Sequence, residues 1–308
     1  MAHASAPGKI ILFGEHAVVY GRPALAAPVT QVHADVEVTE SPRPGIWIHA
    51  PDISLDAELS SLPADHPIGA AITSVFARAG VSTLPSLEIK ISSSIPVASG
   101  LGSGAAVTVA IIRALSSFIS HLSSLEQINS LAYEVERLHH GTPSGIDNTV
   151  ITYAKPVYFI KGQPIQTFAV GSPFTLVIAD TGVSAPTKES VGDVRKLWEA
   201  DKARWEGVFD EIGKIAKEAR DFIERGKTKE LGPLMDANHA LLQELTVSSA
   251  ELDRLVAAAR RSGASGAKMS GGGRGGNMIA LVEKENAPVV AEALMSAGAK
   301  RTIVTEVA

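Results

Sequence analysis

Glycine gathers at three places in this chain, Gly8 to Gly21, Gly100 to Gly104 and Gly266 to Gly276, and each cluster stands at a junction of predicted strands and helices. Glycine at a junction lets the backbone turn through positive φ or come close to another group. The third cluster contains a literal GxGxxG at Gly271, Gly273 and Gly276. A dinucleotide fingerprint must follow a strand and open a helix, whereas this one follows a helical pattern ending near Arg261 and opens a strand pattern, Met278 to Val282. No GxxxxGK[ST] occurs either, which excludes a Walker-type nucleotide site.

Between the clusters the chain reads first as strands, then as helices, then as both. Gln31 to Thr39 alternates strictly, with Val32, Ala34, Val36 and Val38 on one face, and Leu87, Ile89 and Ile91 repeat the pattern. Further strands are predicted at Lys9 to Phe13, Ile46 to His49, Val157 to Ile160, Phe174 to Ala179, Met278 to Val282 and Thr302 to Val307. Helices are predicted at Ala105 to His121, Leu125 to His140, about Glu189 to Glu224, Lys229 to Leu245, Ala250 to Arg261 and Asn286 to Ala297. Without a regular βαβα rhythm the expectation is α+β. The 308 residues suit two domains, and the loop with Gly162, Pro164, Gly171 and Pro173 divides them into 1–170 and 171–308.

Apolar residues at 45% and charged residues at 20% exclude disorder, and a net charge of -5 offers no basic surplus for nucleic acid. No apolar run approaches the ~20 residues that span a bilayer, and Met1 to Gly8 lacks a signal peptide's basic start and apolar stretch. With no cysteine, thiol chemistry and disulfides are excluded, and a cytoplasmic protein is expected.

Three segments carry chemistry. Pro96-Val-Ala-Ser-Gly-Leu-Gly-Ser-Gly-Ala-Ala106 runs into a helix, where unpaired N–H groups and the helix dipole favour a phosphate. There Ser103 either reaches a phosphate-bound magnesium or simply caps the helix. In Glu136-Arg-Leu-His-His-Gly-Thr-Pro-Ser-Gly-Ile-Asp147 a helix stops and a loop carries a second acid. An acid near a helix end is ordinarily solvated, but two flanking one loop match the needs of phosphoryl transfer, one holding a hard cation and the other orienting or deprotonating a hydroxyl. Lys9 lies in an apolar strand and calls for a negative partner.

APGKIILFGEHAVVYG, PVASGLGSGAAVTVA and ERLHHGTPSGIDN resemble, in order and spacing, the strongest segments of mevalonate kinases within the GHMP kinase superfamily, and KMSGGGRGGN resembles that superfamily's late glycine-rich motif. The resemblance implies a ribosomal protein S5 domain 2-like half joined to a ferredoxin-like half, and ATP-dependent phosphorylation of the 5-hydroxyl of (R)-mevalonate. It implies Asp147 as catalytic acid with Lys9 beside it, and Glu15, His16, Tyr20, Ser144 and Thr187 on the substrate side. ATP would be bound by Pro96, Ser99, Gly100, Leu101, Gly102, Ser103, Gly104, Ala105, Gly271, Gly272 and Gly273, and Mg2+ by Ser103 and Glu136. It also suggests a homodimer.

Two positions depart from the family pattern. Gly104 replaces a second serine, and Arg274 replaces a glycine and would either add a cation near the phosphates or point to solvent. The neighbouring His139 and His140 form no zinc-ligand pattern. A related kinase acting on a mevalonate phosphate or a sugar is the nearest alternative, and a phosphorylated substrate would draw on Lys188, Arg195, Lys196 and Arg22. A non-catalytic nucleotide-binding homologue should lack some of Lys9, Ser103, Glu136 and Asp147, and all four are present.

Overall fold

The structure is a computed structural model that describes residues 1–96, 99–121, 124–140, 143–164, 166–184 and 187–308, without the side chains of 139, 140, 187 and 188. It forms two compact units that interleave along the chain. One takes the described residues of Met1–Gly8, Val32–Val97 and Leu101–Ala154, and the other those of Lys9–Gln31, Ala98–Gly100 and Lys155–Ala308.

The first unit is built on β1 (Ala2–Phe13), β2 (Ala24–Glu40), β3 (Ile46–Ala50), β4 (Leu55–Glu58) and β5 (Leu87–Ser93). Strands β1 and β2 also run into the second unit. The alternation of β2 and β5 sets their antiparallel register, which pairs Val36 with Ile91 and Val38 with Ile89. Strand β3 runs parallel to β5 and adds Ile46 and Ile48 to the buried face. Helix α2 (Ser103–Phe118) packs on β5, and α1 (Pro67–Arg78), α3 (Leu125–His140) and α4 (Ile146–Tyr153) pack around α2. Val109, Ile112 and Leu115 of α2 are fully buried, each contributing roughly 1.5–3 kcal/mol of hydrophobic stabilisation. Helix α1 was not among the predicted elements. It opens with Pro67, which suits a first helical position, and buries Ile68, Ile72, Val75 and Phe76.

In the second unit β6 (Val157–Phe159) pairs with Ala24–Ala26 of β2 and with β7 (Gln166–Thr167). The unit continues through β8 (Phe174–Asp180), α5 (Thr187–Ala200), α6 (Lys202–Glu224), α7 (Leu231–Glu244), α8 (Ala250–Arg261), β9 (Gly266–Ser270), β10 (Asn277–Val282), α9 (Ala287–Ser296) and β11 (Arg301–Val307). Its sheet has the order β11-β8-β10-β9 with every pairing antiparallel, and helices connect β8 to β9 and β10 to β11. That is the ferredoxin-like arrangement the resemblance implies. The long charged helix predicted from 189 to 224 is two helices, because the Asp201 carboxylate accepts the Arg204 N–H at 3.1 Å and starts α6 afresh.

Strand β9 was also missed by the sequence reading, and its seat is a backbone contact. A Cβ on Gly266 would lie 2.2 Å from the Gly232 carbonyl oxygen, and one on Gly232 would lie 2.2 Å from that of Ser265. Only glycine at both positions lets α7 and β9 approach this closely. The strand so placed carries Lys268, which is fully buried.

Candidate active site

The first functional segment is the turn that ends β1. Lys9 lies within β1, 5% exposed, and the strand stops at Phe13. The next residues, Glu15 and His16, are buried, and His16 adopts φ +60 before a short 3-10 turn over Ala17–Tyr20. Glu15 pairs with Lys268, whose ammonium also donates to the Met269 carbonyl at 2.7 Å. Burial pushes the Lys268 ammonium down from its ordinary value, and Glu15 beside it pushes back. The Tyr20 ring stacks on Phe209 of α6, with centroids 4.1 Å apart, and tilts against Trp198 of α5. Burial pushes its hydroxyl pKa up.

His16 Nε2 is 3.0 Å from the Gly272 carbonyl. A carbonyl can only accept, so Nε2 carries the proton and Nδ1 keeps its lone pair. Neither His16 Nδ1 nor Glu15 Oε2 has a hydrogen-bond partner among the described residues, although both atoms are buried. Desolvation lowers the His16 pKa to about 4, with the Arg274 charge acting in the same direction against the bond to Gly272. The ring is therefore neutral near pH 7 and presents an acceptor.

His239 of α7 has a similar shift, to about 4, through burial and the charges of Lys268 and Arg260, opposed by Asp253. Its Nδ1 accepts the Met269 N–H at 3.3 Å and its Nε2 lies 3.1 Å from Asp253. Below pH 6.5 the unfolded chain binds protons that these two rings refuse when folded. Stability should therefore fall as pH drops from about 6.5 to 4 and level off below, by roughly 3 kcal/mol for each ring. Urea midpoints measured from pH 7 to pH 4 should show this slope, and His239→Gln should remove about half of it. An unchanged slope in that variant would contradict the assignment.

The second segment leads into α2. Pro96 is half-buried, residues 97 and 98 lie outside the described residues, and the buried Ser99 offers its carbonyl to the Asn277 side-chain amide of β10. Gly100 and Gly102 have φ +82 and +75, and the buried Leu101 lies between them. Ser103 is the first helical residue. Gly102 occupies the cap and no described side chain caps this end, so the capping alternative for Ser103 is replaced by an open helix start. Gly104 is exposed with open space where a side chain would begin, and Ala105 is buried.

The two acids belong to α3 and α4. Glu136 is half-buried near the end of α3, and Asp147 is in the first turn of α4, not in the loop that the sequence suggested. The helix start favours its negative charge. Ser144 Oγ accepts the Ile146 N–H at 3.3 Å. Neighbours of Asp147 are pinned: Asn148 donates to Asn129 Oδ1 at 2.6 Å and Thr149 donates to the Gly145 carbonyl at 2.6 Å. The Ser103 hydroxyl and the Glu136 carboxylate lie on helices that pack together, and they are hard oxygen donors suited to magnesium. Among the described residues no three His, Cys, Asp or Glu side chains gather to hold a metal.

The third segment, Gly271–Gly276, joins β9 to β10 as a turn. It opens no helix, which agrees with its rejection as a dinucleotide motif. A Cβ on Gly273 would lie 1.9 Å from the Val247 carbonyl oxygen, so the turn is pressed against the chain between α7 and α8. Thr187 begins α5, and its side chain lies outside the described residues. The second unit thus brings Glu15, His16 and the glycine turn together, while the first holds Ser103, Glu136, Ser144 and Asp147. Sequence reasoning missed Lys268 and Asp193. A lysine inside the third glycine cluster was the available signal for the first.

A family model for the GHMP kinases N terminal domain matches residues 66–155, and one for the GHMP kinases C terminal matches residues 219–300. The ferredoxin-like half agrees with that class. Mevalonate kinase of Pyrococcus abyssi is 38% identical over 302 residues, covering 90% of this chain and 88% of its own. That of Thermococcus sibiricus is 38% identical over 314 residues, covering 96% and 93%. The crystal structure of L. major mevalonate kinase in complex with R-mevalonate superposes with a TM-score of 0.86 at 29% identity, covering 100% of this chain and 96% of that one. The chain belongs to the mevalonate kinase family. Membership in a kinase family implies use of ATP, and no described helix is long and apolar enough to cross a membrane.

Proposed function

We propose that this chain transfers the γ-phosphoryl group of ATP to the 5-hydroxyl of (R)-mevalonate. The observation that carries the reading is the turn at Glu15 and His16, where two buried acceptor atoms lack donors among the described residues. Leaving such atoms unsatisfied costs about 1–3 kcal/mol each, and a ligand with hydroxyl groups would satisfy them. Mevalonate brings two hydroxyls. Likeness over nearly the whole chain to mevalonate kinases, one of them solved with R-mevalonate, supports the same substrate.

In this reading the amides from Gly100 to Ala105 and the start of α2 hold the ATP phosphates, with Pro96 and Ser99 leading into that loop and Gly271 to Gly273 supporting the nucleotide. Asp147 accepts or orients the proton of the attacking hydroxyl, and Lys9 stabilises the negative charge that develops in transfer. Glu15, His16, Tyr20, Ser144 and Thr187 position the substrate. Ser103 and Glu136 would hold Mg2+, which would neutralise phosphate charge during transfer. A cytoplasmic homodimer belongs to the same reading.

An ADP-release assay across mevalonate, mevalonate phosphates, galactose and homoserine tests it, with turnover expected on mevalonate far above the rest. Strong turnover of another compound, with none on mevalonate, would overturn the substrate while leaving a kinase.

A further inference from the structure

Arg274 stands in the glycine turn at φ +59, a left-handed conformation that a glycine would adopt without strain. Its side chain is committed. Nη1 donates to Asp193 Oδ2 on α5 at 2.6 Å and Nε lies 3.4 Å from the Thr246 carbonyl, while its backbone N–H donates to the Val247 carbonyl at 2.7 Å. The far end of the turn is held separately, because Thr181 donates to the Gly276 carbonyl and Gly276 to that of Val183, both at 2.9 Å. Two residues before Arg274, the Gly272 carbonyl receives the His16 ring.

We propose that Arg274 is a positioning residue: its ion pair with Asp193 straps the glycine turn to α5 and fixes the Gly272 carbonyl that orients His16 toward substrate. This rests on the substrate-side role of His16 proposed above. The pair with Asp193 draws the Arg274 guanidinium toward α5. The Asp193 carboxyl is held down at about 2 by Lys196 and by Arg274, so it stays charged through the neutral range. The strap also joins the turn to the helix that begins at Thr187.

Arg274→Gly removes the guanidinium while relaxing the backbone, so its effects are those of the lost strap and not of a misfolded turn. Asp193→Asn removes the other partner and leaves the turn's own sequence intact. Both should raise KM for mevalonate roughly tenfold with little change in KM for ATP, a scale expected when a binding group is slightly misplaced. Arg274→Lys should restore most of the loss. The double variant should be no worse than the worse single one, as for two residues that act through one interaction. A raised KM for ATP with mevalonate unaffected, wild-type values in both variants, or additive losses would each overturn the strap.

A wild-type enzyme inactive on mevalonate would instead remove the substrate reading. The strap is then decided by hydrogen exchange at the Arg274 amide, expected to be roughly tenfold faster in Asp193→Asn. Unchanged exchange there would overturn it without reference to any substrate.

Discussion

Asp147→Asn should lower turnover by at least ~100-fold while ATP affinity stays near normal. The substitution keeps the side chain's shape and removes its charge and its capacity to take a proton. Folding should survive, because the first turn of α4 is held by its neighbours, Asn148 through Asn129 and Thr149 through the Gly145 carbonyl. Steady-state turnover on mevalonate, with nucleotide binding measured separately, checks the result. Wild-type-like turnover in the folded variant would remove Asp147 from the mechanism.

The second large effect is on stability. Lys268→Met leaves the Glu15 carboxylate buried without its cation, and should cost about 3–5 kcal/mol in denaturant unfolding. Glu15→Gln combined with Lys268→Met should recover part of that loss, since two neutral groups of similar shape then replace a broken pair. A single-variant cost below about 1 kcal/mol, in the range of exposed pairs, would mean that the two groups are solvated.

Much of this was legible in the residues. Strict alternation in β2 and β5 gave their faces, and glycines ahead of an apolar run gave a helix start, which falls at Ser103. What the sequence hid has physical causes. Strand β9 reads Gly-Ala-Lys-Met-Ser, and propensity would place its lysine in water; burial becomes possible only because Glu15, distant in sequence, meets it. Helix α4 follows a Pro-Ser-Gly stop so closely that its eight residues look like the rest of a loop. The role of Arg274 could not be read because its partner lies 81 positions away on a helix face that also looks solvated.

The interleaving of the two units bears on how the molecule comes to be folded. Ala24–Ala26 of β2 belong to the second unit, and their partner β6 lies beyond the last residue of the first. During synthesis the first unit has all its residues once Ala154 has emerged, whereas the second begins at Lys9 and must wait for the C-terminal end. Pairings so distant along the chain close large loops and form slowly. A cut after Ala154 leaves every residue of the first unit on one fragment but takes Lys9–Gln31 from the second, so the C-terminal fragment of such a cleavage should refold only when mixed with the N-terminal one.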